Sequence, residues 1–181
     1  MKRLKKFLFL LLCAALAFSL LKWGSQKIKE RIFPLYYEEY IEKYSKEYDL
    51  SKYFVMGVIR AESNFEYDAQ SEIAIGLMQL TDDTAQWILG KLGYDYMEDV
   101  RYVPELNIKM GFFYLDYLKG IYENEETVLA AYNAGPGRVN SWLLNEAYSR
   151  DKKTLFHVPY EETEKYIKRV KIFAKIYEIL Y

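Results

Sequence analysis

From Pro34 onward, apolar residues recur at intervals of three and four nearly to the C-terminus, and no stretch shows sustained alternation with turn pairs. That period matches the 3.6-residue turn of an α-helix and not the two-residue repeat of a strand. Tyr36, Tyr37, Tyr40, Ile41 and Tyr44 fall at helical spacing, and Ser51 follows the apolar Leu50 as a candidate N-cap. The pattern predicts a helix from Thr81 through Leu89 ending near Gly90. It predicts further helices over Asn107–Tyr122, Glu126–Tyr132, Val139–Tyr148 and Glu161–Leu180. Ile108, Phe112, Leu115 and Leu118 should share one face of the Asn107–Tyr122 helix, and Tyr166, Ile167, Val170, Phe173, Ala174 and Tyr177 one face of the last. The expectation is a mainly α single domain over residues 34–181, with few or no strands and no internal repeat.

Residues 1–33 differ. Lys2, Arg3, Lys5 and Lys6 precede an apolar run from Phe7 to Leu21 interrupted only by Ser19, and Lys22 and Trp23 close it. A basic start before such a run is a signal anchor or an export signal. Fifteen residues at about 1.5 Å each fall short of a roughly 30 Å hydrocarbon layer. Snorkelling lysines and an interfacial Trp23 can close the gap. The reading is a retained anchor over 1–24, a connector over 25–33, and a body outside the cytoplasm. The alternative is cleavage after Ala17, at Ala15-Leu16-Ala17.

Composition removes several chemistries. The 181 residues contain one histidine, His157, which excludes a site built on several histidines. The single cysteine, Cys13, lies in the apolar run, so no intramolecular disulfide forms and Cys–His catalysis is disfavoured. Asp82-Asp83 and Asp95 with Glu98-Asp99 lack the spacing of a calcium loop and read as solvated turns; no metal and no cofactor is called for. Residues 1–30 hold seven of the 25 Lys/Arg and one of the 26 Asp/Glu, which leaves the remainder with 18 against 25 and a formal charge of −7. An acidic body argues against nucleic acid as partner. It is compatible with an uncharged glycan.

Glu62 is the most informative position. Phe54, Val55, Val58 and Ile59 form one helical stripe, and the next position on it is Glu62. A carboxyl closing an apolar face is desolvated, which raises its pKa and prepares it as a general acid. The stripe alone favours the plainer reading, a helix-end glutamate held by an arginine or by solvent.

Three further segments bear on that choice. Glu62-Ser63-Asn64-Phe65 is followed by Gly76-Leu77-Met78-Gln79, then by Ala130-Ala131-Tyr132-Asn133-Ala134-Gly135-Pro136-Gly137, then by Glu162-Thr163 three positions before Tyr166. In this order they resemble the catalytic domain of the lytic transglycosylases, glycoside hydrolase family 23, with a goose-type-lysozyme-like fold. The resemblance spans about residues 36–178. It implies a peptidoglycan lytic transglycosylase that cuts the bond between N-acetylmuramic acid and N-acetylglucosamine and leaves 1,6-anhydromuramic ends. Glu62 would be both acid and base, with the substrate's N-acetyl group in place of a second enzyme carboxylate.

The same resemblance implies that Ser63 orients the acid or the N-acetyl group, and that Met78 and Gln79 line the cleft. Tyr132, Asn133 and Tyr166 would surround the carboxylate and intermediate, and Glu162 would contact substrate. Each has a plainer alternative: a helix-end hydroxyl for Ser63, core packing for Met78 and Tyr166, a helix terminus for Tyr132-Asn133, a helix cap for Glu162. One departure is visible: between Ser71 and Gly76 the chain is a residue shorter than the usual family loop and has no glycine there. A lysozyme-type hydrolase using Asp68 or Glu72 to position water is the competing enzyme. A non-catalytic glycan-binding module is the competing class. The sequence names no protein partner, and opening the wall for a larger apparatus is a further possibility.

Overall fold

The computed structural model describes residues 2–95 and 100–181; within it, the side chains of residues 2–10, 13, 14, 25 and 28 lie outside the described set. Cys13, Glu98 and Asp99 therefore fall beyond description. The chain divides into a unit up to Tyr36 that includes Leu180, and a second unit formed by Tyr37–Ile179 and Tyr181.

The first unit is one helix, α1 (Lys2–Ile32), of 31 residues. Gly24 does not break it, so the segment 25–33 expected as a connector is helical through Ile32. Leu16, Phe18, Leu20, Leu21 and Trp23 are exposed on it. Among the described residues, no helix is long and apolar enough to cross a membrane.

The second unit contains α2 (Glu38–Tyr48), α3 (Lys52–Glu62), α4 (Asp82–Leu92), α5 (Pro104–Ile121), α6 (Glu125–Ala134), α7 (Pro136–Leu143) and α8 (Glu161–Leu180). Its described strands are β1 (Ala74–Ile75) and β2 (Leu80–Thr81), paired antiparallel with Ala74 opposite Thr81. The mainly helical expectation holds.

Capping chemistry sets the helix ends. The hydroxyls of Ser51 and Thr81 and the side-chain carbonyl of Asn124 accept from Phe54, Thr84 and Thr127 N–H groups at the starts of α3, α4 and α6. Pro104 and Pro136 open α5 and α7, where a missing N–H costs nothing. Hence α5 begins three residues before its expected start, and α7 spans Pro136–Leu143 rather than Val139–Tyr148. Helix α4 runs past the exposed Gly90 and stops at Gly93, whose backbone is left-handed. A single mid-helix glycine costs only about 1 kcal/mol. Asp82 and Asp83, expected in a solvated turn, form the first turn of α4, where they favour the positive end of its dipole.

Helix α5 is the central element, with α2, α4 and α6 packed against it. Ile108, Phe112, Leu115 and Leu118 are all fully buried, as the spacing predicts. Helix α8 lies against α3 at Gly57, where a Cβ would come within 2.7 Å of the Val170 carbonyl oxygen. Only glycine permits that approach. It brings the second turn of α8 beside the C-terminal end of α3.

Candidate active site

Glu62 is the last residue of α3. The backbone then turns sharply, with Asn64 and Phe65 both at positive φ (57° and 66°). Phe65 is buried edge-to-face on Tyr177 of α8, with ring centroids 6.0 Å apart. The chain loops out and returns as the β1–β2 hairpin. Inside the return, Gly76 sits at φ 86°, and a Cβ there would lie 2.3 Å from both the Arg101 carbonyl oxygen and the Asn107 side-chain nitrogen.

Four side chains fasten this loop. The Ser63 hydroxyl donates to the Leu77 carbonyl at 2.8 Å. Asn107 on α5, fully buried, accepts from the Met78 N–H at 2.8 Å and donates to the carbonyls of Arg101 (2.8 Å) and Ile75 (3.2 Å). Gln79, at φ 44°, donates to the Ala69 and Gly76 carbonyls at 2.9 and 3.0 Å. The Tyr132 hydroxyl donates to the Met78 carbonyl at 2.7 Å. The loop shape that the shortened 71–76 segment left open is thus a tight hairpin tied at both ends.

The carboxyl of Glu62 is closely surrounded by protein although the residue as a whole is half-buried, and the environment of the carboxyl governs its titration. Burial pushes its pKa from 4.5 up to about 7, against the smaller opposing effects of Tyr166 and the Arg169 charge. Tyr166, one turn before Arg169 on α8, is buried. Its hydroxyl is near enough to interact with Glu62, yet among the described residues it makes no hydrogen bond of good geometry. A buried donor without a partner is costly unless a ligand or a rearranged carboxylate completes it. Burial and the nearby Glu62 charge hold the hydroxyls of Tyr132 and Tyr166 well above the ordinary tyrosine pKa, so both remain protonated donors.

The structure therefore brings Glu62, Tyr132 and Tyr166 together. Tyr132, Gln79 and the exposed Asn133 also line one open groove of about 270 Å³ with Thr84, Tyr114 and Pro136. Met78 contributes only its backbone, since its side chain is fully buried against Gly111. Ser63 spends its hydroxyl hydrogen on the loop. Glu162 is exposed in the first turn of α8, one turn before Tyr166. His157 is exposed beside the ring of Tyr148, at 5.8 Å between centroids. Asp68 and Glu72 are exposed. A separate concavity of about 200 Å³, lined by Leu50, Phe54, Leu115 and Lys119 among others, contains none of the expected site residues.

Sequence reasoning missed Asn107, Arg169 and Gly57. Asn107 carried a signal: a polar residue next to Ile108 on a helix whose other inward positions are apolar. Arg169 lies on the same helical face as Tyr166, three positions on. Gly57 gave no signal, because a helical glycine reads the same whether it is exposed or crossed by another helix. Among the described residues, no group of three or more His, Cys, Asp or Glu could hold a metal ion.

Residues 39–156 match the transglycosylase SLT domain family. Over 153 residues the chain is 35% identical to the soluble lytic murein transglycosylase of Salmonella typhimurium, which covers 82% of this chain and 24% of that protein. It is 33% identical over 111 residues to a membrane-bound lytic murein transglycosylase C of Actinobacillus pleuropneumoniae, covering 55% of this chain and 30% of that one. Among solved structures, the lytic transglycosylase Slt of Pseudomonas aeruginosa superposes with a TM-score of 0.72 at 31% identity, over 82% of this chain and 25% of that one. The 70 kDa soluble lytic transglycosylase of Escherichia coli does so with a TM-score of 0.72 at 30% identity, over 83% and 25%. The chain thus spans about a quarter of the length of the soluble relatives it matches.

Proposed function

The chain belongs to the transglycosylase SLT domain family, and on that premise we propose that it cleaves peptidoglycan glycan strands between N-acetylmuramic acid and N-acetylglucosamine, leaving 1,6-anhydromuramic ends. The observation that carries this reading is the carboxyl of Glu62, raised to about 7 by burial beside the hydroxyl of Tyr166, which among the described residues makes no hydrogen bond of good geometry. A carboxylic acid that is still protonated near neutrality is matched to proton donation at that pH.

Glu62 gives its proton to the glycosidic oxygen as that bond breaks. The substrate's N-acetyl oxygen bonds to carbon 1 of the muramic residue, taking the place that a second carboxylate holds in ordinary retaining glycosidases. Glu62, now ionised, is stabilised by Tyr166 and Arg169. It takes the proton of the muramic 6-hydroxyl as that oxygen bonds to carbon 1 and the bond from carbon 1 to the N-acetyl oxygen breaks, leaving the N-acetyl group on carbon 2. No water is consumed, and Glu62 ends as it began. Tyr132 keeps the Met78 carbonyl in place, and Gln79 and Asn133 face the glycan along the groove. Glu162, one turn before Tyr166, meets substrate at the edge of the cleft, and Ser63 acts through the loop it ties.

Mass spectrometry of purified peptidoglycan after digestion tests this. Anhydro ends from the parent and none from Glu62→Gln are expected. Reducing muramic ends would assign a lysozyme-type hydrolase, with Asp68 or Glu72 placing water. Undiminished lysis by Glu62→Gln would remove the catalytic reading altogether.

The membrane is the proposed location. The apolar run on α1 and its exposed Leu16, Phe18, Leu20, Leu21 and Trp23 are satisfied by lipid. Such a tether confines the catalytic domain to nearby wall, as local opening for an apparatus would need. Fractionation should find the full chain with membranes, and a soluble product starting at Phe18 would show cleavage instead.

A further inference from the structure

We propose that Trp87 and Tyr117 form a second sugar-binding platform, which takes a distal N-acetylhexosamine of the same β-1,4-linked strand whose scission is proposed for Glu62. The groove beside Tyr132 does not end there. A second open concavity of about 270 Å³, lined by Asp83, Thr84, Trp87, Tyr114, Tyr117 and Pro136, adjoins it. The two share Thr84, Tyr114 and Pro136 as walls. A polymer that fills the first groove can therefore run on into the second.

Aromatic rings mark the path. Tyr132 lies 5.4 Å from Tyr114, Tyr114 lies 6.2 Å from Trp87, and Trp87 lies 4.7 Å from Tyr117, all between ring centroids. The first pair is tilted and the other two are edge-to-face. Tyr132, Tyr114 and Trp87 are half-buried, whereas Tyr117 at the outer end is 42% exposed, so the outer edge of the aromatic row is presented to solvent in the groove.

A pyranose ring has an apolar face of C–H groups and a rim of hydroxyls. Aromatic walls with a few polar groups suit such a ligand. Asp83, exposed on the first turn of α4, supplies an acceptor for the hydroxyl rim. The rigidity of the pair favours binding, since side chains already fixed by packing lose little entropy when a ligand arrives. Trp87 is fixed by Phe113 at 5.9 Å as well as by Tyr114. The proposal rests on the peptidoglycan reading and adds a length preference to it: strands long enough to reach the platform bind and react better than short ones.

Calorimetric titration of the full chain in detergent, with β-1,4-linked N-acetylglucosamine oligomers of increasing length, tests it. Affinity should rise with length in the parent and equally in Glu62→Gln. Tyr117→Ala should weaken the longest oligomers about tenfold while leaving the shortest unchanged, a loss of about 1.4 kcal/mol. Trp87→Ala should do the same, but it also removes core packing; Tyr117→Ala, at an exposed position, keeps the test independent of folding. Tyr117→Ala binding long oligomers as tightly as the parent would overturn the platform and leave the Glu62 chemistry standing. A parent that binds no oligomer of any length would overturn both.

Discussion

Replacing Glu62 by glutamine should abolish lysis and, above neutrality, make the protein more stable. The folded-state pKa is raised from 4.5 to about 7. Between those values the folded chain keeps a proton that the unfolded chain has released. By linkage, the stability of the parent must fall as pH rises through this window. Below about pH 4.5 the carboxyl is neutral in both states and contributes no penalty. At roughly 1.4 kcal/mol per pKa unit, the loss reaches about 2 kcal/mol by pH 6 and about 3 kcal/mol from pH 7 upward. Solvent reaching the half-buried residue lowers these figures. Glutamine keeps the shape and cannot ionise, so it escapes the loss.

Urea unfolding of parent and Glu62→Gln at a series of pH values measures this directly, because every other titrating group is common to both and cancels in the difference. The two curves should nearly coincide near pH 4.5 and separate steadily to pH 7, with equal denaturant slopes so that midpoints report stability. On a total that is typically about 5–15 kcal/mol, a gap of 2–3 kcal/mol is readily resolved. A difference that does not change with pH would mean that Glu62 ionises in the folded protein as it does in water, and the general-acid argument would fail with it.

Other consequences follow from the same geometry. The kcat/KM of the parent should fall as pH rises through about 7, because Glu62 must begin protonated. Tyr166→Phe removes a buried hydroxyl without a well-formed partner, so stability should change by less than about 1 kcal/mol. Turnover should nonetheless drop about 10²-fold. The alkaline limb should also move to higher pH, since the neighbouring Tyr166 hydroxyl lowers the Glu62 pKa. Asn107→Ala strands the Met78 N–H and the Ile75 and Arg101 carbonyls in a buried place. It should cost on the order of 3–5 kcal/mol in urea unfolding. Thr81→Ala removes the cap of α4 and should cost about 1 kcal/mol in the same assay.

The helices were legible because their buried faces are periodic. The starts of α3, α4 and α8 were also legible, since a side-chain cap or the first residue of a periodic run marks each. Boundaries at proline and glycine were harder. Pro104 and Pro136 begin helices that the periodic residues enter only a few positions later, and Gly90 was credited with a stop that belongs to Gly93. Glu62 stood out because it interrupts an apolar stripe. Arg169 and Asn107 did not, because their importance lies in what faces them across the fold: a carboxyl on α3 for one, three backbone groups of a loop for the other. The resemblance implies that Met78 lines the cleft and Ser63 orients the acid or the N-acetyl group; the structure uses the side chain of the first to fill space beside Gly111 and the hydroxyl of the second to tie the loop.

A carboxyl held near pKa 7 is a standing cost, and the contacts around it show what keeps the chain from relieving it. Relief would come from letting water reach Glu62, and two displacements could do so: α8 moving off α3, or the 64–79 loop lifting away. The first is opposed where Gly57 lets the Val170 backbone approach so closely that the helices interlock one turn from the acid. The second is opposed by Ser63, Asn107 and Tyr132, which bind successive carbonyls and the Met78 N–H from three different helix segments. No one of these contacts touches a sugar. Each bond net contributes about 1 kcal/mol, so together they offset a penalty of a few kcal/mol that any single one could not. The acid strength of Glu62 is therefore a property of the loop and the helix crossing as much as of the residue itself, and substitutions well outside the groove should shift the pH at which the enzyme works.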